Sequence, residues 1–478
     1  IACFVEAVRD GRRFVDAASR ATARKPVVVL KGGRSEAGRR AAGSHTGSLA
    51  GAHDVYRAGC RRSGVVLVEE TEEFFDAIEA LAVAGDRRPS SPGVVIVTVS
   101  GGPSVIAADC AEREGLAVPA LDDGTRRRLR ALLPSFAAVG NPVDLTPQVD
   151  PSRIADAVRI VADQPGAGGI VAVNVGLDIP EFAEGVIAAA QSTGKPAVAF
   201  TADAPGLAAR FRAAGVPVLP TPERAVRAFR ALWAARRQAT PDVPAPVPLP
   251  ADLAAAVRTR TGALPYALGR RVLETAGVRF CREEIAETVD AAIASAQRIG
   301  YPVVVKADAP GLTHKTEAGG VRLGVADADA VRRACQDLRA QTGAGRFVVQ
   351  EQVARGVELI AGVRRDEAFG PVVVVGTGGV LAEVIRDVSV RLAPVDREEA
   401  RRMLREGARE RLLAGPRGLP ACEDGPLVDV VTALSGLACA EPRIVEIDLN
   451  PVIAAGASAV AVDALVIVGD EACETTSP

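Results

Sequence analysis

Residues 26–51 read PVVVLKGGRSEAGRRAAGSHTGSLAG. A short β-branched apolar run, 26–30, enters a glycine-rich loop and then a small-residue segment in which Ser44 or Thr46 suits a helix N-cap. Strand, glycine loop and helix in that order open an α/β unit. The same grammar recurs down the chain. Residues 65–69 lead into a helical pattern at 71–84, and 94–99, 170–175 and 197–201 are further apolar runs separated by helical patterns. Apolar strands without alternation, set between helices, predict parallel sheets covered on both faces. The fold class is therefore α/β. Two flavodoxin-like parallel-sheet domains are expected at 1–88 and 92–238, either side of the turn cluster RPSSPG at 88–93.

Residues 239–250 form a linker on this reading, because TPDVPAPVPLP at 240–250 holds five prolines and favours extended backbone. Beyond it, 251–478 reads as an α+β module, with helices expected at 266–277 and 286–299 and strands at 302–306, 347–350 and 371–376. No P-loop occurs. The nearest candidate, GLTHKT at 311–316, has His314 where the motif needs glycine.

The 478 residues are enough for roughly three domains at about 150 residues each. With 48% hydrophobic and 24% charged residues the chain is a folding one. Lys+Arg 57 against Asp+Glu 59 leaves a net charge of -2, so no global field draws it to nucleic acid or an anionic membrane, and 3% aromatics are too few for a base-stacking platform. The eight cysteines are scattered without a C-x-x-C pair, which argues against a thiolate zinc site and fits a reducing, cytoplasmic location. No apolar run is long enough to span a membrane, and IACFVEAV lacks the basic region of a signal peptide. A start at Ile1, inside what reads as a strand, is expected to be a cut from a longer chain.

There are three histidines, His45, His53 and His314. His45 stands in GSHTGSLAG, where uncapped N–H groups at a helix start would hold phosphoryl oxygens and leave the imidazole free to attack phosphorus. The same residues also suit an ordinary loop histidine with a capping neighbour. A second anion loop is read at 100–104, SGGPS, after the strand 94–99 and before a helix expected at 105–115. Ser100, Gly101, Gly102 and Ser104 would then cradle one phosphoryl group together with the first loop, or be a plain strand-to-helix turn. Lys306 closes the strand PVVVK, a position from which a lysine neutralises nucleotide phosphates, and His314 follows in the glycine-containing APGLTHKTEAGG. Gln350, Glu351, Glu358, Glu383, Asp387 and the EIDLNP segment at 446–451, with Asp463 beyond it, supply hard oxygens for Mg²⁺ on nucleotide phosphates; each singly is equally a solvated carboxylate.

Taken together, these segments resemble the NDP-forming acyl-CoA synthetases, typified by ADP-forming acetate-CoA ligase and related to succinyl-CoA synthetase. GRSEAGRRAAGSHTGSLAG is similar to the family's phosphohistidine motif, and GNPVDL at 140–145 recurs there. VVVKADAPGLTHKTEAGGVRLGV, GVELIAGVRRDEAFGPVVVVGTGGVLAEVIRDVSVRLAP and EIDLNPVIA resemble its ATP-grasp domain, which assigns 251–478 to that fold. By this resemblance His45 is the phosphorylated nucleophile and Glu6 the glutamate beside it, fixing the imidazole tautomer. His314 is a second histidine that ferries phosphate, with Asp448 assisting. Lys306, Glu351 and Glu358 contact nucleotide, and Asn450 and Asp463 are magnesium ligands.

The implied reaction is acid + CoA + ATP to acyl-CoA + ADP + phosphate, through acyl phosphate and phosphohistidine, on acetate or another small carboxylic acid. Implied cofactors are ATP/ADP, Mg²⁺ and CoA, and the implied assembly is a homo-oligomer. Single-chain members begin with a CoA-binding Rossmann-like domain, expected here upstream or on another chain. Pro147 replaces a glycine often found after the NPVDL stretch. Two rival readings are a synthetase-like regulatory region of a protein acetyltransferase, which typically lacks the histidine nucleophile, and a carboxylate-amine ligase of the wider ATP-grasp group.

Overall fold

The computed structural model describes residues 1–35, 53–235, 248–309, 318–379, 387–416 and 420–470. Contacts divide the chain into two compact units, Ile1–His53 with Cys60–Ala239, and Asp54–Gly59 with Thr240–Pro478.

In the first unit β1 (Ala2–Val5), β2 (Val28–Lys31) and β3 (Val66–Val68) make a parallel three-stranded sheet in the order β1-β2-β3. The second sheet holds β4 (Val94–Thr98), β5 (Ala138–Val139), β6 (Val143–Asp144), β7 (Gly169–Val175), β8 (Ala197–Ala202) and β9 (Val218–Leu219), ordered β5-β6-β4-β7-β8-β9. Only the β5/β6 edge is antiparallel. Setting that edge aside, the strands run second, first, third, fourth, fifth, the flavodoxin-like order whose direction switches between β4 and β7. Every residue of β4 is buried, as an apolar run covered on both faces requires. Helices Pro151–Ala162, Pro180–Thr193 and Pro205–Ala213 pack on one face. Gly101–Arg113 and Pro222–Ala234 pack on the other, in a cluster that also takes in Val28, Val66 and Val68 of the first sheet and Ala77, Ala80 and Leu81 of helix Thr71–Val83. The two sheets therefore share one apolar core.

Proline in the first turn of four of these helices presets φ where no N–H is needed. Thr221 caps the last of them by accepting from Arg224 N at 3.2 Å. That helix also carries an ion-pair ladder. Arg224 grips buried Asp76 through Nε at 2.7 Å and Nη2 at 2.6 Å, Arg227 and Arg230 each reach Glu114 at 3.1 Å, and Arg230 also pairs with Glu73.

The second unit is built from antiparallel strands. β11 (Glu283–Ala286), β12 (Val303–Asp308), β13 (Val321–Val325) and β14 (Arg346–Glu351) form a four-stranded sheet ordered β11-β14-β12-β13. Helices Val289–Ile299 and Ala328–Thr342 share its core. β10 (Gly262–Ala263), β15 (Val357–Asp366), β16 (Gly370–Thr377), β17 (Val388–Leu392), β18 (Ile444–Ala455), β19 (Ser458–Ala461) and β20 (Leu465–Val468) form a seven-stranded sheet ordered β10-β20-β18-β15-β16-β17, with β19 on β18. Helix Asp424–Ala440 fills its apolar side.

Two expected boundaries move. The helix placed at 286–299 begins at Val289, because Thr288 accepts from Ala291 N at 3.1 Å and residues 283–286 are an edge strand on β14. The helix placed at 105–115 begins at Gly101, so SGGP is its N-cap and first turn and not a loop before it. Among the described residues no helix is long and apolar enough to cross a membrane.

Removing Asp76 would leave the partly buried Arg224 guanidinium with Glu72 alone, 3.6 Å away. Asp76→Ala is expected to lose about 2–4 kcal/mol, read as an earlier first transition in urea unfolding. An unmoved transition would show the pair to be net neutral.

Candidate functional site

Glu6 follows β1, whose Val5 lies opposite Lys31 in β2. Lys31 is buried, and its Nζ donates to the Glu6 carbonyl at 2.6 Å and to the Gly32 carbonyl. Burial lowers the Lys31 ammonium from its ordinary pKa, while Glu6 and Cys60 pull it back up. Gly32 packs closely: a Cβ on it would stand 3.3 Å from Phe4 Cζ and 3.6 Å from Glu6 Cγ. His45 lies outside the described residues, as does His314. The residues flanking 36–52 converge on one carboxylate: Arg34 Nη1 pairs with Glu69 Oε2 at 2.5 Å, and His53 Nε2 stands 3.8 Å from Glu69 Oε1.

The second cradle sits at the β4/β7 switch, the place where open α/β sheets receive ligands. Ser100 N donates to the Thr98 hydroxyl at 2.8 Å, and Ser100 Oγ crosses the switch to the Val175 carbonyl at 3.3 Å. Ser104 Oγ turns back to the Gly101 carbonyl at 2.6 Å. Neither hydroxyl caps the helix, so the first-turn N–H groups face outward without a side-chain acceptor from Ser100. A Cβ on Gly102 would meet nothing within 4 Å, whereas one on Gly101 would lie 2.7 Å from Asp144 Oδ2. Asp144, from the GNPVDL stretch, also accepts from Thr146 N at 2.9 Å. Asn141 of the same stretch stitches β4, taking Ile96 N at 3.0 Å and giving to the Val94 carbonyl at 3.0 Å. Thr146 is left-handed at φ 66 and its buried hydroxyl is unpaired, as are both amide atoms of fully buried Asn174 at the end of β7. Polar groups without protein partners thus gather at this edge.

In the second unit Lys306 is only 6% exposed and donates to the Val462 carbonyl at 2.6 Å, with Asp463 Oδ2 3.8 Å away. Gln350 shares that carbonyl at 3.0 Å. Glu351 accepts from Arg282 N at 3.1 Å and Arg282 Nε at 2.7 Å. Burial opposes its ionisation, yet the Arg282 hydrogen bonds outweigh burial and hold its carboxyl below the ordinary range. Asn450 and Asp463 flank one hairpin: Val452 is opposite Ala461 in β18 and β19, and Val462 N donates to the Pro451 carbonyl at 3.2 Å. Asp448, two residues before Asn450 on β18, shares its face and pairs in register with Gly362 and Leu465. Exposed Glu358 stands beside the VGTGG turn, where Gly379 at φ 68 adopts a left-handed conformation that favours glycine and a Cβ would lie 2.2 Å from Glu358 Oε2. No group of three His, Cys, Asp or Glu side chains that could hold a metal forms among the described residues.

The structure thus brings Lys306 and Gln350 onto the Val462 carbonyl, with Asp463 Oδ2 3.8 Å from the Lys306 ammonium and Asn450 one residue before the Pro451 carbonyl that accepts from Val462 N. Glu6 and the 100–104 turn belong to the first unit, on its separate sheets. Reading motifs missed Lys31, Glu69, Asp144 and Glu283. Asp144 lies inside the quoted GNPVDL stretch without a role having been read for it, and Lys31, Glu69 and Glu283 gain their neighbours by strand register or by a loop's return.

Comparison with known proteins agrees with this architecture. Residues 1–81 match the succinyl-CoA ligase like flavodoxin domain, 94–174 the ligase-CoA domain, and 255–468 the ATP-grasp domain. The chain belongs to the NDP-forming acyl-CoA synthetase family: it is 34% identical, over 98% of its length and 70% of the relative's, to an ADP-forming acetate–CoA ligase of Archaeoglobus fulgidus. It is also 32% identical, over 98% of its length and 68% of the relative's, to a trans-feruloyl-CoA synthase of an unidentified prokaryote. A 4-hydroxybutyrate–CoA ligase (ADP-forming) of Nitrosopumilus maritimus is 29% identical, over 95% of this chain and 68% of that one.

The tight Gly101–Asp144 approach is testable. Gly101→Ala should destabilise by about 1–2 kcal/mol, and combining it with Asp144→Ala should restore part of the loss. A double-mutant cycle in urea should give a coupling above about 0.5 kcal/mol; additive effects would mean that the two do not touch.

Proposed function

We propose that this chain carries the phosphotransfer core of an ADP-forming acyl-CoA synthetase: acid + CoA + ATP giving acyl-CoA + ADP + phosphate. The observation that carries the reading is the meeting of Lys306 and Asp463 over the Val462 carbonyl, 3.8 Å apart, in an ATP-grasp unit of a chain that also holds the SHTG segment. The His314 imidazole attacks the γ-phosphorus of ATP, the P–N bond forming as the bond to the β–γ bridging oxygen breaks and ADP leaving with that electron pair; the His45 imidazole then attacks the same phosphorus, and His314 departs with the electrons of its P–N bond. The carboxylate of the acid then takes the phosphoryl group, giving acyl phosphate and free His45. The CoA thiol finally attacks the acyl carbon, and phosphate departs as the thioester forms. Each step conserves one high-energy bond, so the sequence also runs backwards to make ATP.

Glu6 accepts the imidazole N–H and supports the positive charge that develops on attack. Ser100, Gly101, Gly102 and Ser104 offer the phosphohistidine a helix start, and the unpaired polar groups of Thr146 and Asn174 nearby support that location. Lys306, Glu351 and Glu358 hold the nucleotide. Asn450 and Asp463 suit magnesium, which keeps most of its waters and needs only one or two protein oxygens beside the phosphates; when bound it neutralises phosphate charge. His314, with Asp448 behind it, carries the phosphoryl group from nucleotide towards His45, since in-line transfer needs reacting atoms within about 3–3.5 Å. The acid is a small carboxylic acid, acetate first, because the relatives' names span acetate, 4-hydroxybutyrate and ferulate. A cytoplasmic setting and a homo-oligomer complete the proposal; all seven described cysteines are free thiols, as a reducing compartment implies.

With γ-labelled ATP and magnesium, the wild-type chain should acquire an acid-labile, base-stable label that His45→Ala lacks. His314→Ala should bind nucleotide normally yet label far more slowly. Equal labelling of His45→Ala would remove that residue from the mechanism, and undiminished labelling of His314→Ala would favour direct transfer.

Asn450→Ala and Asp463→Asn should each raise the magnesium concentration needed for half-maximal labelling several-fold, with the unfolding midpoint unshifted for Asn450→Ala and lowered for Asp463→Asn, which takes a carboxylate from the buried Lys306 ammonium. An unchanged magnesium dependence in both would count against this metal site.

A further inference from the structure

The nucleotide reading accounts for Lys306 and Asp463 but not for the polar cluster behind them. Strand register assembles it. Glu283 in β11 lies opposite Gln350 in β14, and Gln350 lies opposite Val304 in β12, two residues from Lys306. Residues opposite or two apart project from the same face, so Glu283, Gln350 and Lys306 stand on one side of the sheet. Glu283, with 5% of its side chain exposed, accepts from the Tyr266 hydroxyl at 2.9 Å and from the Gln350 amide, and pairs with Arg270. Arg270 is itself fixed by Glu274 at 2.8 Å, by the Cys281 carbonyl at 3.2 Å and by the face of Phe280 at 5.1 Å. Burial first, then Glu283, raises the Tyr266 hydroxyl and keeps it a protonated donor. Gln350, 1% exposed, gives its remaining N–H to the Val462 carbonyl at 3.0 Å. That carbonyl also takes Lys306 Nζ at 2.6 Å.

We infer that Gln350, locked by Glu283, is a positioning residue for the nucleotide clamp: it fixes the Val462–Asp463 step and limits how tightly the Val462 carbonyl can hold the Lys306 ammonium. The inference rests on the reading of Lys306 as a phosphate contact. A carbonyl has two lone pairs, and here Gln350 occupies one and Lys306 the other. Without the amide, the carbonyl turns fully to the ammonium and draws it away from phosphate. The residue before Asp463 also loses its tether to β14. Both changes weaken nucleotide capture, and neither touches the histidine chemistry that follows.

Gln350→Met keeps the volume and removes both donors. In the full chain it should raise the Mg-ATP concentration for half-maximal labelling about tenfold, with the rate at saturating Mg-ATP changed less than twofold. Tyr266→Phe removes only the far hydroxyl and keeps the assay readable should Gln350→Met fail to fold; about a threefold rise is expected. Lys306→Ala, run alongside, separates the two ideas. If Lys306→Ala weakens Mg-ATP use while Gln350→Met and Tyr266→Phe match wild type, the positioning role falls and the clamp stands. If Lys306→Ala also matches wild type, the clamp reading falls and takes this inference with it. A loss confined to the saturated rate would overturn the inference as well, since positioning of the nucleotide acts on capture.

Discussion

An ammonium buried as deeply as Lys306 must be surrounded by oxygens to remain charged, and that constraint organises the second unit. The oxygens come from the 462–463 segment, which belongs to the seven-stranded sheet, while the lysine belongs to the four-stranded one. Meeting the lysine's needs therefore ties the two sheets together at one carbonyl. The same meeting sets the ammonium 3.8 Å from the Asp463 carboxylate. Structural and chemical demands coincide there, so the site cannot be loosened without loosening the unit.

The first unit solves a different problem. Parallel strands buried on both faces leave only their carboxyl ends for chemistry, and at the β4/β7 switch those ends part to admit a helix start. The three-stranded sheet is too small to hold a core of its own. It joins the larger sheet's core through helix Thr71–Val83, and the arginines of Pro222–Ala234 clamp that helix in place. Glu6 and Lys31 then sit at the end of a sheet held firm by its neighbour.

Strands in the first unit were legible because an unbroken β-branched run between helices has few other readings; β2, β4, β7 and β8 all lie where such runs stand. Edge elements were not. Residues 283–286 read EEIA, half charged and short, and become a strand only because β14 offers a partner. Gly101 and Gly102 looked like loop because glycine is a poor helix former, yet the first turn tolerates it where Asp144 leaves no room for a side chain at Gly101. Lys306, Asp463 and Asn450 were singled out by resemblance to a motif, and their roles stay part of the proposal. Glu283 and Glu69 were not, since each acquires its neighbours through register or a returning loop, which local spacing does not encode.

The position of β20 in the sheet order has a consequence for biosynthesis. β10, made early in the second unit, pairs only with β20, and the Val462–Asp463 step lies just before that strand. On the ribosome, β10 must wait unpaired while every intervening element emerges. Lys306, already synthesised, lacks its carbonyl for the same interval. A nascent chain arrested before β19 would therefore leave Lys306 without the carbonyl and carboxylate that receive it.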